Sequence, residues 1–278
     1  MLLNYIYLLR IKHWIKNLVL FTPFIFARKF DDIVGFELLF QVFFVFCVLS
    51  STIYIFNDIC DVDEDSKSEI KKKEKPIANK RISLKSAKIF LIILIIFNVI
   101  LLYHYSSILY HGVIFLLLNI LYSIILKKII IIDAVSIGFS YIVRVYAGAS
   151  VIFVPVSFWL TSLIFSVSLF VVFTKRYSEL LILKKNSRDT VNKTNKNLYK
   201  YLSLICCFIS CILYSLYVIT VNLNLILSIP ITFFIFYRMI HNLFNSKMRI
   251  LSPVNTVFND KWLIISLLSW ICISIFNQ

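Results

Sequence analysis

The sequence predicts an all-α protein that crosses a lipid bilayer about nine times, and three observations predict it. Sixty per cent of its 278 residues are hydrophobic and the mean hydropathy is +0.88, well above the roughly 45–50% apolar share of a soluble domain. Apolar runs near the length needed to cross the hydrocarbon, about 20 residues within a range of about 17–25, recur from Leu18 to the C-terminal end. The loops between them alternate between strongly basic and nearly uncharged, as expected of a chain threaded back and forth under the positive-inside rule.

In chain order, the spans fall near 16–30, 36–56, 86–104, 108–126, 130–150, 156–175, 200–220, 223–241 and 261–277. The first follows Arg10, Lys12 and Lys16, a basic start that mimics a signal peptide. No small-residue cleavage site follows, so it is expected to stay as the first span. The second runs directly into an acidic stretch, and the third begins after residues 59–88, which hold nine lysines and arginines. The fourth ends at Lys127 and Lys128. The fifth carries a polar stripe of Asp133, Ser136, Ser140 and Arg144. The sixth ends at Lys175 and Arg176, in a loop (175–200) with eight basic residues, and the eighth leads into 238–261 with four. Together with the N-terminus these loops place 26 of the 29 lysines and arginines on one side. Arg28 and Lys29 lie on the other side, offset by Asp31 and Asp32. The N-terminus and the basic loops are therefore expected in the cytoplasm, at the plasma membrane, with the C-terminus outside.

A single membrane domain over 1–278 is expected, because no hydrophilic block is long enough to fold alone. The formal charge of +15 invites a nucleic-acid reading. Its confinement to short loops argues instead for anionic lipid headgroups or phosphorylated substrates. Five of the six cysteines lie in apolar spans and no C-x-x-C pair occurs, which argues against a disulfide framework or a zinc site. The four histidines have no visible partner set.

The main chemical signal is Asn57-Asp58-Ile59-Cys60-Asp61-Val62-Asp63-Glu64-Asp65, which holds five of the chain's 14 acidic residues. If the helix continues from Phe56, Asp58, Asp61 and Asp65 recur at i, i+3 and i+7 and share one face. Carboxylates gathered at a membrane boundary repel one another and resist burial. A divalent cation removes that penalty, and Mg²⁺ is usually held by one or two carboxylates plus substrate phosphates. The bland alternative is a solvated helix end, against which stands the scarcity of acid elsewhere. The same loop supplies Lys75 and Arg81, and acid for metal beside base for phosphate suits a site that binds and releases a pyrophosphate. Lys71–Lys73 read better as topogenic charge. In the fifth span Asp133 and Arg144 stand about 16 Å apart along a helix, too far for a direct pair, so each needs another partner, functional or merely structural. Lys175 and Glu179 could form an ordinary i, i+4 ion pair.

Asn57-Asp58-x-x-Asp61-x-x-x-Asp65 resembles the first aspartate motif of the UbiA-type intramembrane prenyltransferases. Further blocks resemble the decaprenyl-phosphate phosphoribosyltransferase branch of that superfamily. These are Arg10-Ile-Lys12-His-Trp14-Ile-Lys16-Asn17, Lys75-Pro76-Ile77-Ala78, Tyr122-Ser123-x-x-Leu126-Lys127, then Asp133, Arg144-x-x-Ala147-Gly148, and Lys175-Arg176-Tyr177-x-Glu179-Leu180. Ser252-Pro253-Val254 through Asp260 is also similar. The resemblance implies nine helices around a central cavity, with Asp58, Asp61 and Asp65 holding Mg²⁺. It also implies catalytic roles for Asp58, Asp61, Asp133 and Lys16, and substrate binding by Asn17, Asn57, Lys75, Arg81, Tyr122, Lys127, Arg144, Lys175 and Arg176. One departure stands out. Prenyl-diphosphate users carry a second acidic motif, D-x-x-x-D, whereas here Asp133 is followed four residues on by Ile137.

The expected reaction is transfer of a 5-phosphoribosyl group from phosphoribosyl pyrophosphate to a polyprenyl phosphate. Transfer of a prenyl group to an aromatic acceptor is the enzymatic alternative. A transporter or lipid flippase is the alternative from another class, and no repeat between the halves of the chain encourages it.

Overall fold

The structure is a computed structural model that describes residues 2–182, 196–244, 257 and 259–276. Most of the basic loop 175–200 and the Ser252-Pro253-Val254 element lie outside these residues. The regular elements among the described residues are all helical, with no strand among them. In chain order they form α1 (Leu2–Leu9), a 3₁₀ segment (Ile11–Phe21), α2 (Thr22–Phe26), α3 (Ile33–Cys60), α4 (Val62–Lys67), α5 (Glu69–Glu74) and α6 (Leu84–His104). There follow α7 (Leu109–Ile124), α8 (Ile132–Val151), α9 (Phe158–Ile182), α10 (Lys196–Val221), α11 (Ser228–Phe244) and α12 (Lys261–Phe276).

Six of these stretches are long and apolar enough to cross a membrane: Ile33–Cys60, Leu84–His104, Ser106–Ile124, Ile132–Val151, Phe158–Leu181 and Asn197–Val221. Lys261–Phe276 is apolar but shorter. The first expected span is corrected. Residues 16–30 form no single α-helix, but the end of the 3₁₀ segment, five-residue α2, and a turn in which Arg28 has positive φ. Nine long spans are therefore not counted among the described residues.

The chain divides into two compact units, Met1–Lys127 with Ile142–Val156, and Lys128–Tyr141 with Ser157–Gln278. In the first, α3 is the central element. Asp32 caps it by accepting a hydrogen bond from the Gly35 amide at 2.8 Å, which satisfies a donor that would otherwise face the membrane boundary unpaired. Leu39, Val42, Phe46 and Leu49 on α3 pack with Leu20, Phe24, Phe115 and Ala147. Phe46 meets Phe115 edge-on at 5.4 Å. The 3₁₀ segment is pinned along α3, with Trp14 Nε1 donating to Ser51 Oγ at 3.0 Å and Ser51 Oγ donating to the Leu9 carbonyl at 2.8 Å. Gly148 permits the second half of α8 to press on the same segment. A Cβ there would stand 2.0 Å from the Leu20 carbonyl oxygen. Only 17% of the apolar window of α6 is buried, so Ile89, Ile92, Ile93 and Ile96 face outward, as suits a helix solvated by lipid.

In the second unit, Phe170 and Phe173 on α9 pack with Tyr199 and Cys206 on α10 and Phe236 on α11. Small polar groups tie the helices where apolar contact in lipid gives little drive. Ser166 Oγ donates to the Cys206 carbonyl at 3.0 Å, and Trp270 Nε1 donates to the Tyr214 hydroxyl at 2.8 Å.

Candidate active site

The acidic motif forms at the junction of α3 and α4. The helix does not run through it unbroken: α3 ends at Cys60 and Asp61 is the cap, with φ −97° and ψ 6°. The amides of Asp61 and Asp65 still bond the carbonyls of Asn57 and Asp61, both at 2.9 Å. The i, i+4 ladder thus bridges the break, and the expected shared face survives. Asp58, Asp61 and Asp65 are 2%, 8% and 2% exposed.

Each carboxylate is held by a cation from another element. Arg10, in the left-handed conformation before the 3₁₀ segment, donates from Nη2 to Asp58 Oδ1 at 2.5 Å. Lys75 Nζ lies 2.9 Å from the same oxygen and pairs also with Asp65. Lys127, itself buried, pairs with Asp61, which also accepts from Asn57 Nδ2 at 3.0 Å. Three buried acids thus meet three bases. Such pairs persist at low dielectric only where the geometry offsets desolvation.

Among the described residues no group of three or more His, Cys, Asp or Glu converges to ligate a metal, so the three aspartates do not form a preassembled cage. Their chemistry nevertheless fits a hard divalent cation bound with substrate oxygens. Asp58 Oδ2 is buried without a hydrogen-bond partner. Asp58 and Asp65 already share one cationic centre, the Lys75 ammonium.

Of the other expected site residues in this unit, Asn17 is fully buried and accepts from Arg144 Nε at 2.8 Å and from Ser50 Oγ at 3.2 Å. The Arg144 guanidinium stacks over Phe115 at 4.4 Å. Lys16 lies over the Tyr54 ring at 5.8 Å. Tyr122 is half-buried on α7, five residues before Lys127. Arg81 is not brought into the cluster. It is exposed, and its backbone amide donates to Asn79 Oδ1 in a turn.

The second unit holds its own buried charges. Arg176, 2% exposed, donates from Nε to Asp133 Oδ2 and from Nη1 to Glu179, both at 2.8 Å. Asp133 Oδ1 is buried without a partner. Lys175 is half-exposed and lies 3.8 Å from Glu179. At the start of α12, Asp260 accepts from Arg238 Nη2 at 2.8 Å, from Asn242 Nδ2 at 2.6 Å and from the Trp262 amide at 3.0 Å. Burial raises the Asp260 carboxyl. The bonds from Arg238, Asn242 and the Leu263 amide, with the charge of Arg238, outweigh it and hold the group below the ordinary carboxylate range.

Two residues of the first cluster were missed as site candidates. Arg10 was read for topology and resemblance, not as the partner of Asp58. Tyr54 was not considered, although its place four residues before Asp58 puts it on the acidic face.

The sequence pattern of the UbiA prenyltransferase family matches residues 18–249. The chain belongs to that family. Across 186 residues it is 29% identical to the uncharacterized protein y4nM of Sinorhizobium fredii, covering 66% of this chain and 36% of that protein. Across 182 residues it is 25% identical to the decaprenyl-phosphate phosphoribosyltransferase of Mycobacterium tuberculosis, covering 64% of this chain and 60% of that one. The matched stretch thus spans less than two thirds of each relative's length. A UbiA homologue from Archaeoglobus fulgidus, solved bound to DMAPP and Mg²⁺, shares the fold with a TM-score of 0.73 at 15% identity, over 99% of this chain and 98% of that one. The expected all-helical UbiA fold is thus found, and as a UbiA-family chain with several apolar spans this is a multi-pass membrane protein.

Proposed function

We propose that this chain is a Mg²⁺-dependent transferase that moves a 5-phosphoribosyl group from phosphoribosyl pyrophosphate to a polyprenyl phosphate. The observation that carries the reading is the buried meeting of Asp58, Asp61 and Asp65 with Arg10, Lys75 and Lys127 at one helix end. The 25% identity to the mycobacterial phosphoribosyltransferase supports the choice of donor. So does the second unit, where Asp133 is committed to Arg176 and Ile137 stands where a second carboxylate would be needed.

A phosphate oxygen of the lipid attacks the anomeric carbon of the ribose. The new C–O bond forms as the bond to pyrophosphate breaks, and the electron pair leaves with pyrophosphate. The attacking oxygen is already anionic, so no general base is needed. Asp58, Asp61 and Asp65, with Asn57, would hold Mg²⁺, which when bound neutralises charge on the leaving group. Lys75 and Lys127 stand ready to turn from carboxylate to phosphate, and Asn17 fixes the guanidinium of Arg144. Positioning and charge neutralisation dominate.

The test supplies purified protein with polyprenyl phosphate, labelled phosphoribosyl pyrophosphate and Mg²⁺. Lipid-linked label is expected, falling by about 10²–10³-fold in Asp58→Asn and in Asp61→Asn. Consumption of a prenyl diphosphate in place of phosphoribosyl pyrophosphate would move the assignment to prenyl transfer, the activity suggested by the DMAPP-bound structural relative.

A further inference from the structure

A cavity of about 450 Å³ lies between α3, α6 and α7. Thr52, Ile53 and Phe56 of α3 form its floor, and its walls run from Leu91 to Tyr103 on α6 and from Leu109 to Ile120 on α7. Only apolar surface faces into it, because the one amide in the wall is held against α3. Asn98 Nδ2 donates to Thr52 Oγ1 at 2.6 Å, and Thr52 Oγ1 donates to the Val48 carbonyl at 2.9 Å. That buried tie fixes α6 against α3. Along the rim, Ile95, Val99, Leu109 and Val113 are exposed. α6 and α7 are also the least buried of the six long apolar helices, so the cavity opens sideways where lipid is the solvent.

The dimensions select the occupant. From Leu91 to Tyr103 the axis of α6 rises about 18 Å at about 1.5 Å per residue, close to the hydrocarbon depth of one leaflet, half of about 30 Å. Spread over that length, the volume leaves a section of about 25 Å², or about 5–6 Å across. A peptide in hydrocarbon must be helical and is about 10–12 Å in diameter, too wide to enter. One extended hydrocarbon chain fits.

Two further observations separate this chain from a substrate tail. Tyr103 stands one residue before the end of α6, at the membrane face opposite the acidic motif, and is exposed, the usual place of an interfacial tyrosine. A chain entering there comes from the leaflet away from Asp58. The floor residues also lie on the back of α3: at about 100° per residue, Asp58 is about 120–160° round the axis from Thr52, Ile53 and Phe56. A lipid with its phosphate at the carboxylates would have to pass round the helix to reach the cavity.

We propose that this cavity is a site for one acyl chain of a bilayer phospholipid that is not a substrate, drawn from the leaflet opposite the acidic motif. The seated chain fills the space that α6 and α7 leave behind α3, and supports at close packing the helix that carries Asp58. The proposal rests on the membrane-spanning fold and not on the choice of donor or acceptor.

Palmitoyl-oleoyl phosphatidylglycerol is titrated back onto the delipidated full chain in detergent, with bound lipid counted by native mass spectrometry and thermal unfolding followed alongside. A single saturable lipid is expected, and the unfolding midpoint should rise by roughly 2–4 °C as it binds. Val113→Trp, at the rim, puts an indole into the cavity and should weaken binding roughly tenfold or more and abolish the rise. Val99→Trp, from the facing wall, should do the same, so that a folding failure in one variant leaves the other to decide. Ile92→Trp, exposed on α6 outside the cavity, should bind as the native chain does. Lipid that accumulates without saturating, or that binds both rim variants as it binds the native chain, is annular lipid only and overturns the proposal. Displacement of the phospholipid by an equal concentration of farnesyl phosphate would also overturn it, by making the cavity a path for a substrate tail. None of these readouts involves phosphoribosyl transfer, so their failure and the failure of the transferase reading are distinct.

Discussion

Arg176 bonds two carboxylates from an almost fully buried position, and its planar fork of donors is what makes that possible. Truncation in Arg176→Met would strand Asp133, already short of a partner at Oδ1, as an uncompensated buried charge. A loss of about 3–5 kcal/mol is expected, with part recovered in the double variant Arg176→Met/Asp133→Asn. Thermal unfolding in detergent reads both, and equal stability of the single and double variants would show that the pair carries no coupling. Asp260 makes a prediction with a sign. Its folded-state carboxyl is depressed, so its stabilising contribution is present above the unfolded value of about 3.9. The contribution is lost as pH falls through the lower folded value. The unfolding midpoints of the native chain and Asp260→Asn should therefore differ at neutral pH and converge in acid. A gap that stayed constant with pH would place the effect elsewhere. These charged residues were legible in the sequence because ionised groups are rare where every carboxylate must find a cation. Their partners were not: Arg10 meets Asp58 across 48 residues of chain, and no spacing rule reaches that far.

At the scale of elements, hydropathy located the long helices, since lipid accepts a backbone only when its own groups are internally bonded, but α9 runs on to Ile182 past the expected end at 175 and α11 starts at Ser228 and not at 223. It failed at residues 16–30, where apolar content was sufficient but length was not. Pro23 opens α2 at its first turn, Arg10 reverses the backbone, and the side chains of Trp14 and Asn17 are claimed by α3. Those are tertiary constraints, invisible to a window of composition. The polar stripe of α8 was read more fully. Asp133 and Arg144 were expected to need separate partners, and each has one, Arg176 and Asn17. The helix can reach Asn17 because Gly148, one turn beyond Arg144, lets it approach the Leu20 carbonyl. Gly148→Ala forces a methyl group against backbone that cannot swing away, at a cost of about 1–3 kcal/mol. The unfolding midpoint should fall. An unchanged midpoint would mean that α8 and the 3₁₀ segment separate freely.

For the whole molecule, the charge asymmetry bears on chemistry as well as on threading. Phosphoribosyl pyrophosphate is a multiply charged solute that cannot cross hydrocarbon, so the proposed donor requires the carboxylate cluster to face the compartment that contains it. With 26 of 29 basic residues assigned to one side, the positive-inside rule predicts that this compartment is the cytoplasm. Cys60 offers a direct measurement. It is an exposed free thiol at the last residue of α3, beside Asp61, whereas exposed Cys272 lies within apolar α12. A membrane-impermeant maleimide should label the native chain in inside-out vesicles and leave it unlabelled in right-side-out ones, and Cys60→Ser should abolish the signal. Labelling from the outer face would invert the topology. It would place the acidic helix end away from the cytoplasmic donor, and the phosphoribosyl reading would fall even with the helical fold intact.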